Sequence, residues 1–301
     1  MVSGGEVHRR SVPGHGVAPP KIWRSTSPLA ASLVGTYIES TSNEVPATRG
    51  EQSCCPNPTL NAAGLSVWIT AYVRPLDGAG KLHVLHAFTG GADGSSPYGA
   101  LLQDAAGNLY GAAITGGDLS CPQFPGLGCG TVFKLSPDKT FTVLHTFTGG
   151  KDGANSYGGL VMDSAGNLYG SALHGGNTSC DDGCGTLFKI SAKGKFQVLY
   201  TFKDREDGGG PIGNLVMDTK GNLYGETQGL NSNSYYGTVF ELNPVGQMTV
   251  LHVFTKYPDG ADPVGGLIRD SAGNLYGVAY QGGKKGCLLD IGCGTVFKVT
   301  P

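Results

Sequence analysis

Charged residues are scarce in this sequence, and the two signs nearly cancel. Only 15% of the 301 residues are charged, and 21 basic residues against 23 acidic ones leave a formal net charge of -2. A nucleic-acid-binding protein is expected to carry a basic face and a high isoelectric point. Anionic membrane surfaces likewise attract clustered basic residues. The composition therefore supports neither kind of partner.

Long hydrophobic runs are also missing. A membrane-spanning helix needs about 20 consecutive apolar residues, and no run in the sequence approaches that length. The best apolar stretch near the start, residues 29–38, is short and lies behind Lys21 and Arg24. It is a weak match to an export signal. We interpret residues 1–81 as a leader or poorly ordered segment outside the folded domain.

Glycine, by contrast, is abundant, at 51 residues. The glycines recur at fixed places in a repeat, which indicates turns and close backbone approaches. The string Gly-Asn-Leu-Tyr-Gly occurs four times, at spacings of 59, 55 and 52 residues. Val-Leu-His-x-Phe (Tyr for His in one copy), Asp-Gly and Gly-Thr-[Val/Leu]-Phe recur with it. The copies of Gly-Asn-Leu-Tyr-Gly begin at Gly107, Gly166, Gly221 and Gly273.

Each copy of the repeat predicts four short strands, a to d. In the first copy these are Tyr98–Asp104, Leu109–Ala113, Thr131–Leu135 and Phe141–Phe147. They are rich in β-branched and aromatic residues and show no helical period. Asp at the head of the a–b turn and Gly near its end are typical of a tight hairpin. The sequence therefore predicts an all-β fold.

The order of the strands predicts how the repeats assemble. A first d strand, residues 82–88, precedes the first a strand, and no d strand follows the last c strand. Pairing between these two ends would leave no free sheet edge. We therefore expect a four-bladed β-propeller over residues 82–301, closed by residues 82–88 on the C-terminal blade. The alternative is half of an eight-bladed ring formed by a homodimer. The repeat units are 82–140, 141–195, 196–247 and 248–301.

The repeat resembles a known family. Gly-Asn-Leu-Tyr-Gly followed by Gly-Gly and Gly-Thr-Val-Phe-Lys is similar to the GloVer tandem repeat of bacterial surface proteins, and the similarity covers residues 82–301. The resemblance implies a propeller-like repeat domain and export from the cytoplasm. It carries no catalytic residues that could be transferred to this chain.

Six of the eight cysteines lie in the loops between strands b and c, two in each of three copies. The third copy lacks both members of the pair, as expected if the two are bonded to each other. Local disulfides indicate an oxidising, extracytoplasmic compartment. A zinc site is the alternative, but the intervals within the pairs are 8, 4 and 6 residues, and zinc requires four ligands. The pairs are Cys121 with Cys129, Cys180 with Cys184, and Cys287 with Cys293. Cys54 and Cys55 remain unassigned.

Alternating strand directions place the b–c loops and the d–a links on one face of the domain. Variable loops on a rigid scaffold are the usual location of binding sites. One acidic residue recurs in each link, and clustered carboxylates could bind calcium. Asp-Gly is also a common turn pair, so calcium remains only a possibility and no other cofactor is expected. The recurring acidic residues are Asp93, Asp152, Asp207 and Asp259.

A second recurring aspartate heads each a–b turn, and we interpret these residues as structural. They are Asp104, Asp163, Asp218 and Asp270. The three histidines of the d strands align with Tyr200, which indicates ring packing. His174 is interpreted as a solvated loop residue.

Two functions remain open. The first is an extracytoplasmic binding module that presents the loops of one face to a glycan or protein. The second is a carbohydrate-active lyase or hydrolase that uses charged groups of the third copy. The candidates for ligand binding are the four link aspartates together with three other charged residues, which are Arg205, Glu226 and Arg269. They could equally be solvated charges, and no residue is assigned a catalytic role.

Overall fold

The computed structural model describes residues 82–177, 179–180, 182–203, 207–229, 236–287 and 291–301. Within these ranges there are 17 strands and no helix, which confirms the predicted all-β class. No helix in the same ranges has the length and apolar character needed to cross a membrane. The predicted leader, residues 1–81, lies outside the described residues.

Four antiparallel sheets follow one another along the described part of the chain, one for each copy of the repeat. Sheet 1 contains β1 (Ser95–Pro97), β2 (Leu102–Gln103), β3 (Leu109–Thr115), β4 (Thr131–Leu135) and β5 (Phe141–Thr146). Sheet 2 contains β6 (Val161–Met162), β7 (Leu168–Ala172), β8 (Thr186–Ile190) and β9 (Phe196–Thr201). Sheet 3 contains β10 (Pro211–Met217), β11 (Leu223–Thr227), β12 (Thr238–Leu242) and β13 (Met248–Val253). Sheet 4 contains β14 (Ala261–Pro263), β15 (Ile268–Arg269), β16 (Leu275–Gln281) and β17 (Thr295–Val299).

The a–b hairpin explains most of the Gly-Asn-Leu-Tyr-Gly string. In sheet 2, Asp163 Oδ1 accepts hydrogen bonds from the backbone N–H groups of Ala165 and Asn167, both at 2.9 Å. Its Oδ2 accepts from Asn167 Nδ2 at 2.7 Å and from the Tyr169 hydroxyl at 2.9 Å. Gly166 supplies the positive φ of 78° that the turn requires. The equivalent aspartates make the same Asn and Tyr contacts in the other three sheets. The structural role predicted for these aspartates is confirmed.

The second glycine of the string makes room for a phenylalanine. A Cβ atom on Gly170 would lie 2.5 Å from Phe188 Cζ, well inside van der Waals contact. Phe147, at the end of the preceding d segment, packs edge-on against Phe188 with ring centroids 5.4 Å apart. The same edge-on pair recurs as Phe88–Phe133, Phe202–Phe240 and Phe254–Phe297. One contact between consecutive repeats thus joins all three motifs, which are Gly-Asn-Leu-Tyr-Gly, Gly-Thr-[Val/Leu]-Phe and Val-Leu-His-x-Phe.

Among the described residues, three hydrophobic clusters form the core, and each joins two consecutive sheets. The first contains Val132 of sheet 1 with Leu160 and Leu168 of sheet 2. The second joins sheets 2 and 3, and the third joins sheets 3 and 4. A backbone hydrogen bond accompanies each junction. These bonds are Asn155 N to Cys129 O, Gly210 N to Cys184 O, and Asp262 N to Tyr236 O. The three clusters therefore lie at the junctions between consecutive sheets.

The a strands are less regular than predicted, and glycine is the reason. A Cβ atom on Gly99 would lie 2.6 Å from the carbonyl of Gly158, and one on Gly158 would lie 2.0 Å from Gly213 O. One on Gly213 would lie 2.7 Å from Gly266 N. The a segments of neighbouring sheets therefore approach one another backbone to backbone. In three of the four sheets this leaves short strands, and β10 is bulged between Ile212 and Val216.

The predicted closing pair is absent. Residues 82–88 form no strand, and among the described residues β16 is the one ladder partner of β17. The segment instead packs on sheet 1, where His86 stacks on Phe141 with ring centroids 3.8 Å apart. Without a neighbouring strand its backbone cannot form a ladder. The prediction that residues 82–88 complete the C-terminal blade is therefore wrong for this structure.

Candidate functional site

The b–c loops and the d–a links form one surface, called the loop face below. Within a repeat, the N–H of Gly176 in the b–c loop donates to Gly150 O in the link at 2.8 Å. Thr186, which opens strand c, donates its hydroxyl to Asp152 O at 3.2 Å. The a–b and c–d turns meet at the other end of the strands, where the N–H of Ala192 donates to Asn167 Oδ1 at 3.1 Å. Strand geometry thus places the loops and the turns at opposite ends of each sheet.

The recurring aspartates of the links hold the loop face together. Asp152 Oδ2 lies 3.1 Å from His145 Nε2 and accepts the backbone N–H of Thr148 at 3.0 Å. The Thr148 hydroxyl donates to Asp152 Oδ1 at 2.5 Å. Burial alone would raise the pKa of Asp152, but the hydrogen bonds from His145 and Thr148 outweigh it and lower the pKa below its ordinary value. The carboxylate is therefore ionised and already supplied with donors.

The same arrangement surrounds Asp93 and Asp259, each with its own histidine and threonine. In the link between sheets 2 and 3 the hydroxyl of Tyr200, at the end of β9, takes the place of the histidine and donates to Asp207 Oδ2 at 2.5 Å. This explains why histidine and tyrosine interchange at that position, because either ring can reach the carboxylate. The histidines also stack on phenylalanines, as His145 does on Phe196 at 3.6 Å.

The three predicted cysteine pairs are confirmed as disulfides. Their Cα atoms lie 5.7, 5.1 and 5.3 Å apart in the pairs of sheets 1, 2 and 4, respectively. These separations are normal for a disulfide. The carbonyls of Cys129 and Cys184 accept the hydrogen bonds that join consecutive sheets. The disulfides of sheets 1 and 2 therefore constrain their b–c loops at the points where consecutive sheets meet.

An open cleft of about 660 Å³ lies on the loop face between the b–c loops of sheets 1 and 2. Its polar side chains are Gln123, Lys151, Asn177 and Asp182, and glycines form much of its floor. A second hollow of about 550 Å³ shares Lys151 and Asn177 with it and extends to Lys203. The Gln123 amide donates to Gly149 O and so bridges the loop of sheet 1 to the link that precedes sheet 2. The cleft therefore offers a cation, a carboxylate and amide groups side by side.

Glu226 lies apart from this cleft. It belongs to β11, its exposed fraction is 1%, and Oε2 accepts the backbone N–H of Gly266 at 2.9 Å. Its Oε1 has no hydrogen-bond partner in the part of the chain that the structure describes. Burial raises the pKa of Glu226 to about 7, although the Gly266 hydrogen bond acts in the opposite direction. The carboxyl group is therefore inaccessible to solvent at the junction of sheets 3 and 4.

The repeat identified from the sequence has a known family model. The model of the Gloeobacter/Verrucomicrobia repeat matches residues 70–230 and again residues 120–301. The chain belongs to the Gloeobacter/Verrucomicrobia repeat family. This confirms the resemblance drawn from Gly-Asn-Leu-Tyr-Gly and its companion motifs. Among curated proteins, none matches the sequence.

Solved structures similar to this Gloeobacter/Verrucomicrobia repeat protein share little sequence with it. A luciferin-regenerating enzyme is 17% identical, with 67% of this chain and 60% of that chain covered and a TM-score of 0.42. A protein described as a putative gluconolactonase is 18% identical, with 74% of this chain and 64% of that chain covered and a TM-score of 0.42. The calcium-binding protein regucalcin from Agrobacterium tumefaciens is 14% identical, with 74% of this chain and 68% of that chain covered and a TM-score of 0.43. The chain spans less than two thirds of the length of the first two, and likeness at this level does not extend to function.

Among the described residues, the charged candidates Glu226 and Arg269 are not brought together. Arg205 lies outside the described residues. Arg269 is at the a–b turn of sheet 4, with its guanidinium carbon 5.9 Å from the Tyr224 ring centroid. No hydrogen bond or ion pair between described residues joins Arg269 to Glu226. The link aspartates are separated, one to each repeat, and the described ranges contain no group of three or more metal-ligating side chains.

Sequence reasoning missed the cleft residues and misplaced one histidine. Lys151 and Asn177 carry no recurring pattern, and only the approach of two loops makes them neighbours. His174 is half-buried rather than solvated, because its ring packs beside Phe124 at 5.4 Å. Burial lowers the pKa of His174, so its ring is neutral at pH 7. The aspartates, Glu226 and Arg269 remain predictions as ligand-binding residues.

Proposed function

We propose that the chain is an extracytoplasmic binding module that presents its loop face to a glycan or protein ligand. The observation that carries this proposal is the cleft between the b–c loops of sheets 1 and 2. Disulfides in both loops limit their motion, so less conformational entropy is lost when a ligand is bound. The three disulfides also support an oxidising compartment.

The chemistry of the cleft favours a glycan over an apolar ligand. Sugar hydroxyls both donate and accept hydrogen bonds. Lys151 supplies a hydrogen-bond donor, the carboxyl group of Asp182 supplies acceptor oxygens, and the Asn177 amide both donates and accepts. An open, polar cleft of this kind can contact several hydroxyls without burying an unpaired charge.

The carbohydrate-active alternative gains no support from the described geometry. Glu226 would be its natural acid or base, since its pKa is raised to about 7. Its exposed fraction of 1%, however, leaves no access for a substrate. A general acid must come within hydrogen-bond reach of the group it protonates. We therefore expect binding without turnover.

A glycan array and a panel of immobilised extracellular proteins, probed with the full oxidised chain, test the proposal. For any ligand found, Lys151→Glu and Asn177→Ala are expected to weaken binding about tenfold or more, because each removes a polar group of the cleft. Lys193→Glu is the matched control. Lys193 is an exposed lysine of the same repeat, in the c–d turn at the other end of sheet 2.

Turnover of the same ligands is assayed in parallel. Loss of binding in Lys193→Glu with no effect of the cleft variants would show that the ligand binds elsewhere. Turnover that disappears in Glu226→Gln would show that the enzyme alternative is correct.

A further inference from the structure

The three junctions between sheets are built alike, from one apolar face on each side. On the side of the earlier sheet, the second residue of strand c is fully buried, with an exposed fraction of 0% in sheets 1 to 3. These residues are Val132, Leu187 and Val239. On the side of the later sheet, a leucine of the a segment is at most 5% exposed. These residues are Leu160, Leu215 and Leu267.

The two ends of the array carry the same faces without cover. Val296, the equivalent of Val132, is 82% exposed, and Leu101, the equivalent of Leu160, is 38% exposed. Val278 pairs directly with Val296, and Tyr280 lies on the same side of β16 because side chains alternate along a strand. Both are exposed, whereas their counterparts in sheet 1, Ala112 and Ile114, are buried. We call Val278, Tyr280 and Val296 the trailing face and Leu101 with Leu109 the leading face.

Within one chain the two faces do not meet. At each formed junction the a segment of the later sheet donates a backbone hydrogen bond to the residue just before Gly-Thr in the earlier sheet. The equivalent bond here would run from Ser96 N to Cys293 O, and it is not formed between these described residues. Cys293 is exposed, whereas Cys129 and Cys184 are fully buried.

The repeat itself indicates which partner fits. At each formed junction, the later sheet covers the earlier one with the residues equivalent to the leading face. The covered residues of the earlier sheet are the equivalents of the trailing face. Sheet 1 presents a leading face of the same residue types. We propose that a second copy of this chain docks head to tail, its leading face on the trailing face of the first. Two copies that dock reciprocally bury both ends of each chain. The product is a closed assembly of eight sheets rather than an open filament.

Two single substitutions and their mixture test the proposal on the full oxidised chain. Val296→Asp damages only the trailing face and Leu101→Asp only the leading face. Each is expected to raise the dissociation constant of the dimer on the order of a hundredfold, because each places an unpaired carboxylate in both junctions. Val245→Asp is the matched control, at a valine that is 80% exposed in the c–d turn of sheet 3. Sedimentation velocity measures the association, and circular dichroism melting shows that each variant is folded.

Mixing the two damaging variants gives the decisive result. Val296→Asp retains an intact leading face and Leu101→Asp an intact trailing face, so a mixed dimer regains one undamaged junction. We expect dimers in the equimolar mixture at concentrations where each variant alone is monomeric. A wild-type chain that is monomeric at every concentration, or a mixture that stays monomeric, would overturn the proposal.

Discussion

Replacing Glu226 by glutamine is expected to change the pH dependence of stability in a specific way. The carboxyl group is buried at the junction of sheets 3 and 4, where Oε1 has no hydrogen-bond partner among the described residues and lies so close to Gly277 that a Cβ atom there would be 2.5 Å away. Glutamine has nearly the same shape, keeps the acceptor for the Gly266 N–H, and carries no charge at any pH. The substitution therefore isolates the cost of ionising a sealed carboxyl.

The magnitude follows from the raised pKa. The ordinary value is 4.5, and burial raises the pKa of Glu226 to about 7 in the folded protein. Between these values the folded state holds a proton that the unfolded state has lost, so the free energy of unfolding falls as the pH rises. The span is about 2.5 pH units at roughly 1.4 kcal/mol each, or about 3 kcal/mol. Above about pH 7 the carboxyl is ionised in both states, so the unfolding free energy falls no further on account of this group.

Urea unfolding of the wild type and Glu226→Gln, measured from pH 4 to pH 8.5, provides the assay. The difference in unfolding free energy, variant minus wild type, is expected to rise by about 3 kcal/mol between pH 4 and pH 8. In thermal melts the same change corresponds to roughly 6–12 °C for a domain of this size. Glu241→Gln on β12, where the side chain is partly exposed, shows the effect of the same substitution away from the junction. Parallel profiles for the wild type and Glu226→Gln would refute the reasoning.

Three further predictions concern the repeat motifs. Asp163→Ala is expected to lower the unfolding free energy by about 1–3 kcal/mol, since it leaves the donors of the a–b hairpin unpaired. The control Ser164→Ala, which introduces the alanine found in the first repeat, should change the unfolding free energy little. Equal losses of stability in the two variants would contradict the hairpin account. Gly225→Ala should cost about 1–3 kcal/mol through overpacking, and wild-type stability in urea unfolding would contradict the close contact. Replacing Cys121 and Cys129 together by serine should cost about 2–3 kcal/mol by chain entropy, and an unchanged denaturation midpoint under oxidising conditions would show that the bond does not contribute.

Features that depend on residues close together in the chain could be predicted from the sequence. Asp163 and its hairpin partners lie within 6 residues of one another, and the cysteines of each pair are at most 8 residues apart. Turn chemistry and the loss of both cysteines in the third repeat were therefore sufficient. The four-strand repeat followed in the same way, from alternation and turn residues.

Features that depend on which sheets pack together could not be predicted in this way. The sequence predicts Glu226 as a ligand-binding residue, but the structure buries it at a junction where it accepts a hydrogen bond from Gly266, 40 residues later in the chain. The cleft around Lys151 likewise forms where the loops of two sheets approach. The closing strand was predicted from the order of strands alone, and order does not reveal whether residues 82–88 contact sheet 1 or sheet 4.

The most direct test of the loop face as the functional surface is hydrogen–deuterium exchange of the oxidised chain, with and without the ligand found by screening. The account predicts slowed exchange on binding in the two b–c loops and the link that line the cleft, residues 116–130, 148–153 and 173–185. Exchange at the tight turns, residues 104–108 and 163–167, should be unchanged. Protection confined to those turns would contradict it.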